Sequence, residues 1–133
     1  MTQVYRKPLN NKISKQIKDD LLYSLVKLNK KEDVLLFLEE FLTPTEKIML
    51  SKRLGVALLL QRGTSYSDIV ELLKISTATI VVVKRSLVKD HSYRDVIEKI
   101  SKSLLGENQT NFSWFDAILR SKTSMKARAR LIR

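Results

Sequence analysis

The stretch Ser65-Tyr66-Ser67-Asp68-Ile69-Val70-Glu71-Leu72-Leu73-Lys74-Ile75-Ser76-Thr77-Ala78-Thr79-Ile80-Val81-Val82-Val83-Lys84-Arg85 decides the fold. Each of its two halves opens on a serine whose hydroxyl can accept the backbone N–H three residues on, the usual start of a helix, and Asp68 reinforces the first. The pattern predicts one short helix from Tyr66 to Leu73 and another from Thr77 to about Lys89, with only Lys74 and Ile75 left for a tight turn before the Ser76 cap. Ile69 and Leu73 on the first helix, Ile75 in the turn, and Ile80 and Val83 on the second fall where two steeply crossing helices bury a shared core. That is the helix-turn-helix pattern. The position before Ile75 is commonly glycine in such units, so Lys74 is expected to hold a left-handed or similarly unusual backbone at a modest steric cost.

Moving toward the N-terminus, Thr43-Pro44-Thr45-Glu46 reads as a reciprocal cap: the Thr43 hydroxyl accepts from the Glu46 amide, Glu46 reaches back, and Pro44 needs no donor at the first helical position. This helix should run through Leu60 and stop at Gly63. Ile13, Ile17, Leu21, Leu22, Leu25 and Leu28 recur at spacings of three and four, one stripe of an amphipathic helix from Ile13 to about Asn29, with Lys12, Lys15, Lys18, Asp19 and Asp20 on the wet side. Glu32 to Leu42 is a further helix, too apolar to lie on the surface of a monomer. On the other flank, Val96, Ile97, Ile100 and Leu104 predict a helix from Ser92 to Leu105, capped by Ser92 with Asp95 and ended by Gly106. Only three glycines and two prolines occur in 133 residues, so helices dominate and the expected class is all-α.

The length fits one helical domain over residues 11–106, a basic arm over 1–10, and a linker, short apolar helix and basic tail over 107–133. A hydrophobic content of 44% allows a core, and 25 Lys+Arg against 14 Asp+Glu give a net charge of +11, which calls for a polyanionic partner. The arms carry most of it: residues 1–30 and 113–133 together hold +10, whereas Ser65 to Arg85 holds only +1. With no cysteine and a single histidine, His91, a disulfide framework, a thiolate zinc site, a cysteine nucleophile and an imidazole metal cluster are excluded. Neighbouring acids such as Asp19 with Asp20 and Glu39 with Glu40 diverge on their helices, and no phosphate loop or nucleophile elbow is present. We therefore expect no enzyme, no catalytic residue, no cofactor and no metal. No signal peptide or membrane-length apolar run is visible, and a soluble cytoplasmic, nucleoid-associated protein is expected.

In a helix-turn-helix the first turns of the second helix enter the major groove, where short hydroxyl and methyl side chains touch base edges and thymine methyls. Candidate DNA-binding residues are therefore Ser76, Thr77, Ala78, Thr79 and Val81, with Lys84 and Arg85 further along. Candidate phosphate contacts are Lys52, Arg53, Ser65 and, in the tail, Lys126, Arg128 and Arg130. Tyr66 and Tyr93 are expected to pack as partly buried rings, and Trp114 and Phe115 to pack with Ile118 and Leu119. His91 is expected in an interhelical turn.

Leu42-Thr43-Pro44-Thr45-Glu46, Arg53, Leu59, Arg62-Gly63, Ser65-Tyr66-Ser67-Asp68-Ile69 and Ser76-Thr77-Ala78-Thr79-Ile80 together resemble the Trp repressor-like family. The resemblance covers about Leu42 to Val88, and the flanking segments fit only by helical pattern. It implies an all-helical, intertwined homodimer that binds double-stranded DNA, a transcriptional regulator whose two recognition helices meet successive major grooves. It also implies a ligand site between two arginines, and there this chain departs: Arg53 matches one, Val82 stands at the other, and Val83 stands where a glycine makes room. Thr43, Thr79 and Ser86 are retained, but hydroxyls do not replace a guanidinium that stacks on a ring and pairs with a carboxylate. No dependence on tryptophan is expected, and any other effector is unknown. Two other classes fit the residues: an RNA-binding or ribosome-associated helical protein dominated by its basic arms, and a protein-interaction adaptor whose apolar helices dock a partner.

Overall fold

The computed structural model describes residues 7–107. Among them are six helices and no strand: α1 (Asn11–Lys27), α2 (Lys31–Phe41), α3 (Pro44–Gln61), α4 (Tyr66–Leu73), α5 (Thr77–Lys89) and α6 (His91–Glu107). The protein is all-α, and α4, the turn after it and α5 have the bounds that the two serine caps dictate. The chain falls into two units, Met1–Leu50 and Ser51–Arg133.

In the first unit, the Asn10 side chain accepts from the Lys12 amide and starts α1 two residues before the apolar stripe begins. The start of α3 is the reciprocal cap: Thr43 Oγ1 accepts from the Glu46 amide at 3.2 Å, and the Thr43 amide donates to Glu46 Oε2 at 2.8 Å. The Thr43 amide foremost, and the Thr43 hydroxyl after it, hold the Glu46 carboxyl below its ordinary range. Lys47 bridges to Glu39 at 2.6 Å, and the Phe37 and Phe41 rings stack with centroids 4.8 Å apart. Neither α1 nor α2 buries a single residue. Leu22, Val26, Leu36 and Phe41 are each more than half exposed, and Leu28, Leu36, Phe37 and Phe41 line an open apolar groove. The stripe along α1 is real as a pattern, but its two faces are not separated by burial.

The second unit holds the core. The last six residues of α3 before Gln61, Gly55 to Leu60, are all buried. They cluster with Ile69 of α4, Ile80, Val83 and Leu87 of α5, and Ile97 of α6. A helix end buried on every face belongs in the centre of a core. The helix stops at Gly63, whose φ of +75° suits a residue without Cβ. The Gly63 amide donates to Leu60 O and the Thr64 amide to Leu59 O, the paired bonds of a Schellman close. Helix α5 packs on both α4 and α6.

Three expectations change at α6. The cap is Asp90, whose Oδ1 accepts from the amides of Ser92 at 2.9 Å and Tyr93 at 3.4 Å, so Ser92 lies inside the helix and does not cap it. His91 is accordingly the first helical residue, with its ring against the Arg94 guanidinium, and not a turn residue. Gly106 does not end the helix, which includes Glu107. A glycine costs a helix about 1 kcal/mol relative to alanine and does not by itself forbid one. Tyr93 packs against the core as expected, but Tyr66 stays 37% exposed. No helix among the described residues is long and apolar enough to cross a membrane.

Candidate nucleic-acid interface

The geometry of the helix-turn-helix follows from three local choices. Ser65 Oγ accepts from the Asp68 amide at 3.3 Å and opens α4. Lys74 ends it in the left-handed region at φ 52° and ψ 55°, the one non-glycine residue with positive φ among the described residues. Ser76 Oγ then accepts from the Thr79 amide at 3.3 Å and opens α5. Between the two helices, Ile69, Ile80 and Val83 are buried, while Leu73 and Ile75 pack partly buried against the same cluster. All five positions that the sequence assigns to this shared core are therefore in it.

Of the residues named from sequence as base-reading, Thr77, Ala78 and Val81 are exposed on α5, as are Lys84 and Arg85. Ser76 and Thr79 are differently placed. Their hydroxyls lie 3.1 Å apart and share a hydrogen bond at the helix start, and Thr79 is half-buried. Each hydroxyl keeps further hydrogen-bonding capacity, but part of it is spent on the cap.

Among the phosphate candidates, Arg53 and Ser65 are exposed. Lys52 is half-buried, and its Nζ donates to the carbonyl oxygen of Lys74 at 3.2 Å. Its ammonium thus braces the turn between α4 and α5. Lys126, Arg128 and Arg130, like Trp114 and Phe115, lie outside the described residues.

Val82 was not among the base-reading candidates, yet it is 59% exposed on α5. A helical projection finds it: at 100° per residue, Ala78, Val81, Val82 and Arg85 form one stripe opposite Ile80, Val83 and Leu87. Val83 is 4% exposed and belongs to the core.

The sequence matches the Trp repressor protein family over residues 16–101. This chain belongs to that family. The match takes in α2 to α5 whole and most of α1 and α6, so it reaches well beyond Leu42 to Val88, where the residue-level resemblance lies. The Trp repressor family consists of helix-turn-helix DNA-binding transcriptional regulators, and α4 and α5 are the helix-turn-helix of this member. No curated protein and no solved structure matches the chain. Of the three positions that the resemblance compares with a ligand site, Arg53 is exposed on α3, Val82 is exposed on α5 and Val83 is buried in the core.

Proposed function

We propose that this protein is a sequence-specific double-stranded DNA-binding regulator of transcription that acts as a homodimer on the nucleoid, in the cytoplasm, and does not depend on tryptophan. The observation that carries this reading is the capped α4-turn-α5 unit with its core filled and the outer face of α5 open. Thr77, Ala78, Thr79 and Val81 present to the bases, with Ser76 at the helix start. Lys84, Arg85, Arg53, Ser65 and the tail residues Lys126, Arg128 and Arg130 supply phosphate contacts, which fix register and most of the affinity without reading sequence. Lys52 contributes by bracing the turn.

A second copy accounts for the apolar surface of α1 and α2. No single helix gains from presenting Leu22, Leu25, Val26, Leu35, Leu36 and Phe41 to water, and these exposed residues are what an intertwined partner would cover. Exposed apolar surface on this scale marks an association site. Independence from tryptophan is supported by Val82, which offers no guanidinium, and by Val83, which is buried in the core where the resemblance expects a glycine.

The test is selection of bound duplexes from a random library by the full-length protein. A pseudo-palindromic motif with half-sites about 10 bp apart, one helical turn, supports the reading. Retention that depends on salt alone, with no motif, overturns it. Deleting residues 121–133 should lower affinity and leave the motif intact, because arms that touch phosphate carry no sequence information.

A further inference from the structure

The exposed stripe of α5 is unusual for a surface that reads DNA by hydrogen bonding. From Thr77 to Val82 there is no Arg, Lys, Asn or Gln, the side chains that specify guanine or adenine through paired hydrogen bonds. The first long polar side chain on the helix is Lys84. What the stripe offers is methyl groups: Ala78, then Val81 at 40% exposure and Val82 at 59%. Valine is among the residues most often found inside proteins, and here two stand side by side facing out while Val83, next in sequence, is 4% exposed.

The major groove has one apolar feature, the C5 methyl of thymine. Resting on the assignment of α5 as the recognition helix, we infer that Ala78, Val81 and Val82 read thymine through its C5 methyl, so that methyl contact, and not paired hydrogen bonding, selects the half-site. Valine suits the task because its χ1 is nearly fixed within a helix, so its methyls are placed before DNA arrives and little rotamer freedom is lost on contact. Arg85 extends the stripe one turn further, and Lys84 lies beside it toward the flank, so cationic side chains follow the methyl patch toward the helix end. The pattern is a dry contact at the base edge with charge behind it. The same methyl group occurs on 5-methylcytosine, which presents a donor where thymine presents the O4 acceptor.

The test uses the full-length protein and the duplex obtained by selection, with single thymines replaced by deoxyuridine, which keeps the base pair and removes only the methyl. At the contacted positions each replacement is expected to weaken binding about fourfold, the value of burying one methyl-sized group. In Val81→Ala and Val82→Ala the thymine and deoxyuridine duplexes should bind more nearly alike, and Val81→Thr, which keeps the β-branch and one methyl, should fall between. A shared thermal melt certifies that these exposed substitutions leave the fold intact. Cytosine and 5-methylcytosine at the same positions separate methyl contact from recognition of O4: a gain on methylating cytosine assigns the preference to the methyl. Selective binding that is indifferent to every thymine-to-deoxyuridine replacement overturns the inference while leaving the proposed function standing. Absence of any selected motif overturns the proposed function itself, and this inference with it.

Discussion

The Lys52 ammonium donates to the carbonyl of Lys74 at 3.2 Å, so a side chain of α3 holds the left-handed residue on which the helix-turn-helix bends. The turn lacks the glycine its backbone would favour, and a hydrogen bond from outside the motif stands in the place where the sequence alone suggests a phosphate contact. Lys74→Gly should therefore stabilise the protein by up to about 1 kcal/mol, the relief of left-handed strain less the added freedom of the unfolded chain. Lys52→Met should cost about 0.5 to 1 kcal/mol for the lost hydrogen bond. Urea melts of both variants and the double variant measure this, and equal melts throughout would discard the bracing role.

Stability and reading separate at the start of α5. Ser76→Ala removes a capping hydroxyl and should lower stability by about 1 kcal/mol. Thr77→Ala should leave the melt unchanged but reduce discrimination between sites by about 1 to 3 kcal/mol if its hydroxyl meets a base directly. Thr79→Ala should do some of each, since its hydroxyl shares the cap with Ser76. Competition binding beside thermal melts distinguishes the three.

Lys84→Ala should weaken binding to all duplexes alike. The slope of log affinity against log salt should become shallower by about 0.9 for one lost phosphate contact. A change confined to one sequence would instead make Lys84 a base reader.

The Thr43–Glu46 cap gives a pH dependence of known sign. The Thr43 amide and hydroxyl lower the Glu46 pKa from 4.5 in the folded protein, so its contribution to stability is full above that value and disappears as pH falls through the lower, folded-state value. Glu46→Gln should accordingly be less stable than wild type at pH 6, and the gap should close below pH about 4.5. A gap that persists undiminished at pH 3 would mean the carboxylate charge plays no part.

Isothermal titration with tryptophan should show no heat of binding. Micromolar affinity would remove the claim of independence.

Local chemistry made α4 and α5 legible to the residue. Ser65 and Ser76 are each followed by a three-residue cap geometry, and the turn between the helices is too short to admit another register. At α6 the same reasoning points to Ser92 with Asp95, whereas the Asp90 carboxylate two residues before Ser92 captures the amides. The exposed face of α5 is legible in part: Thr77, Ala78, Val81, Lys84 and Arg85 are named from their place in the motif and are exposed, whereas the sequence presents Val82 only as a missing ligand-site arginine, and helical projection is what sets it on the outer stripe. The role of Lys52 was out of reach, because a contact between residues 22 positions apart leaves no mark on periodicity. The N-terminal helices announced their apolar character, and the structure adds that neither buries a residue.

That last feature makes concentration a structural variable. Helices of 17 and 11 residues recover the entropy of ordering largely through the apolar face they cover. In a dimer built by covering α1 and α2 with a second copy, diluting the protein loosens those helices along with the pairing. A cell that makes too little of such a regulator would hold single copies whose α4 and α5 keep their own core but whose N-terminal helices are loosened, so occupancy of paired half-sites would fall with the square of supply.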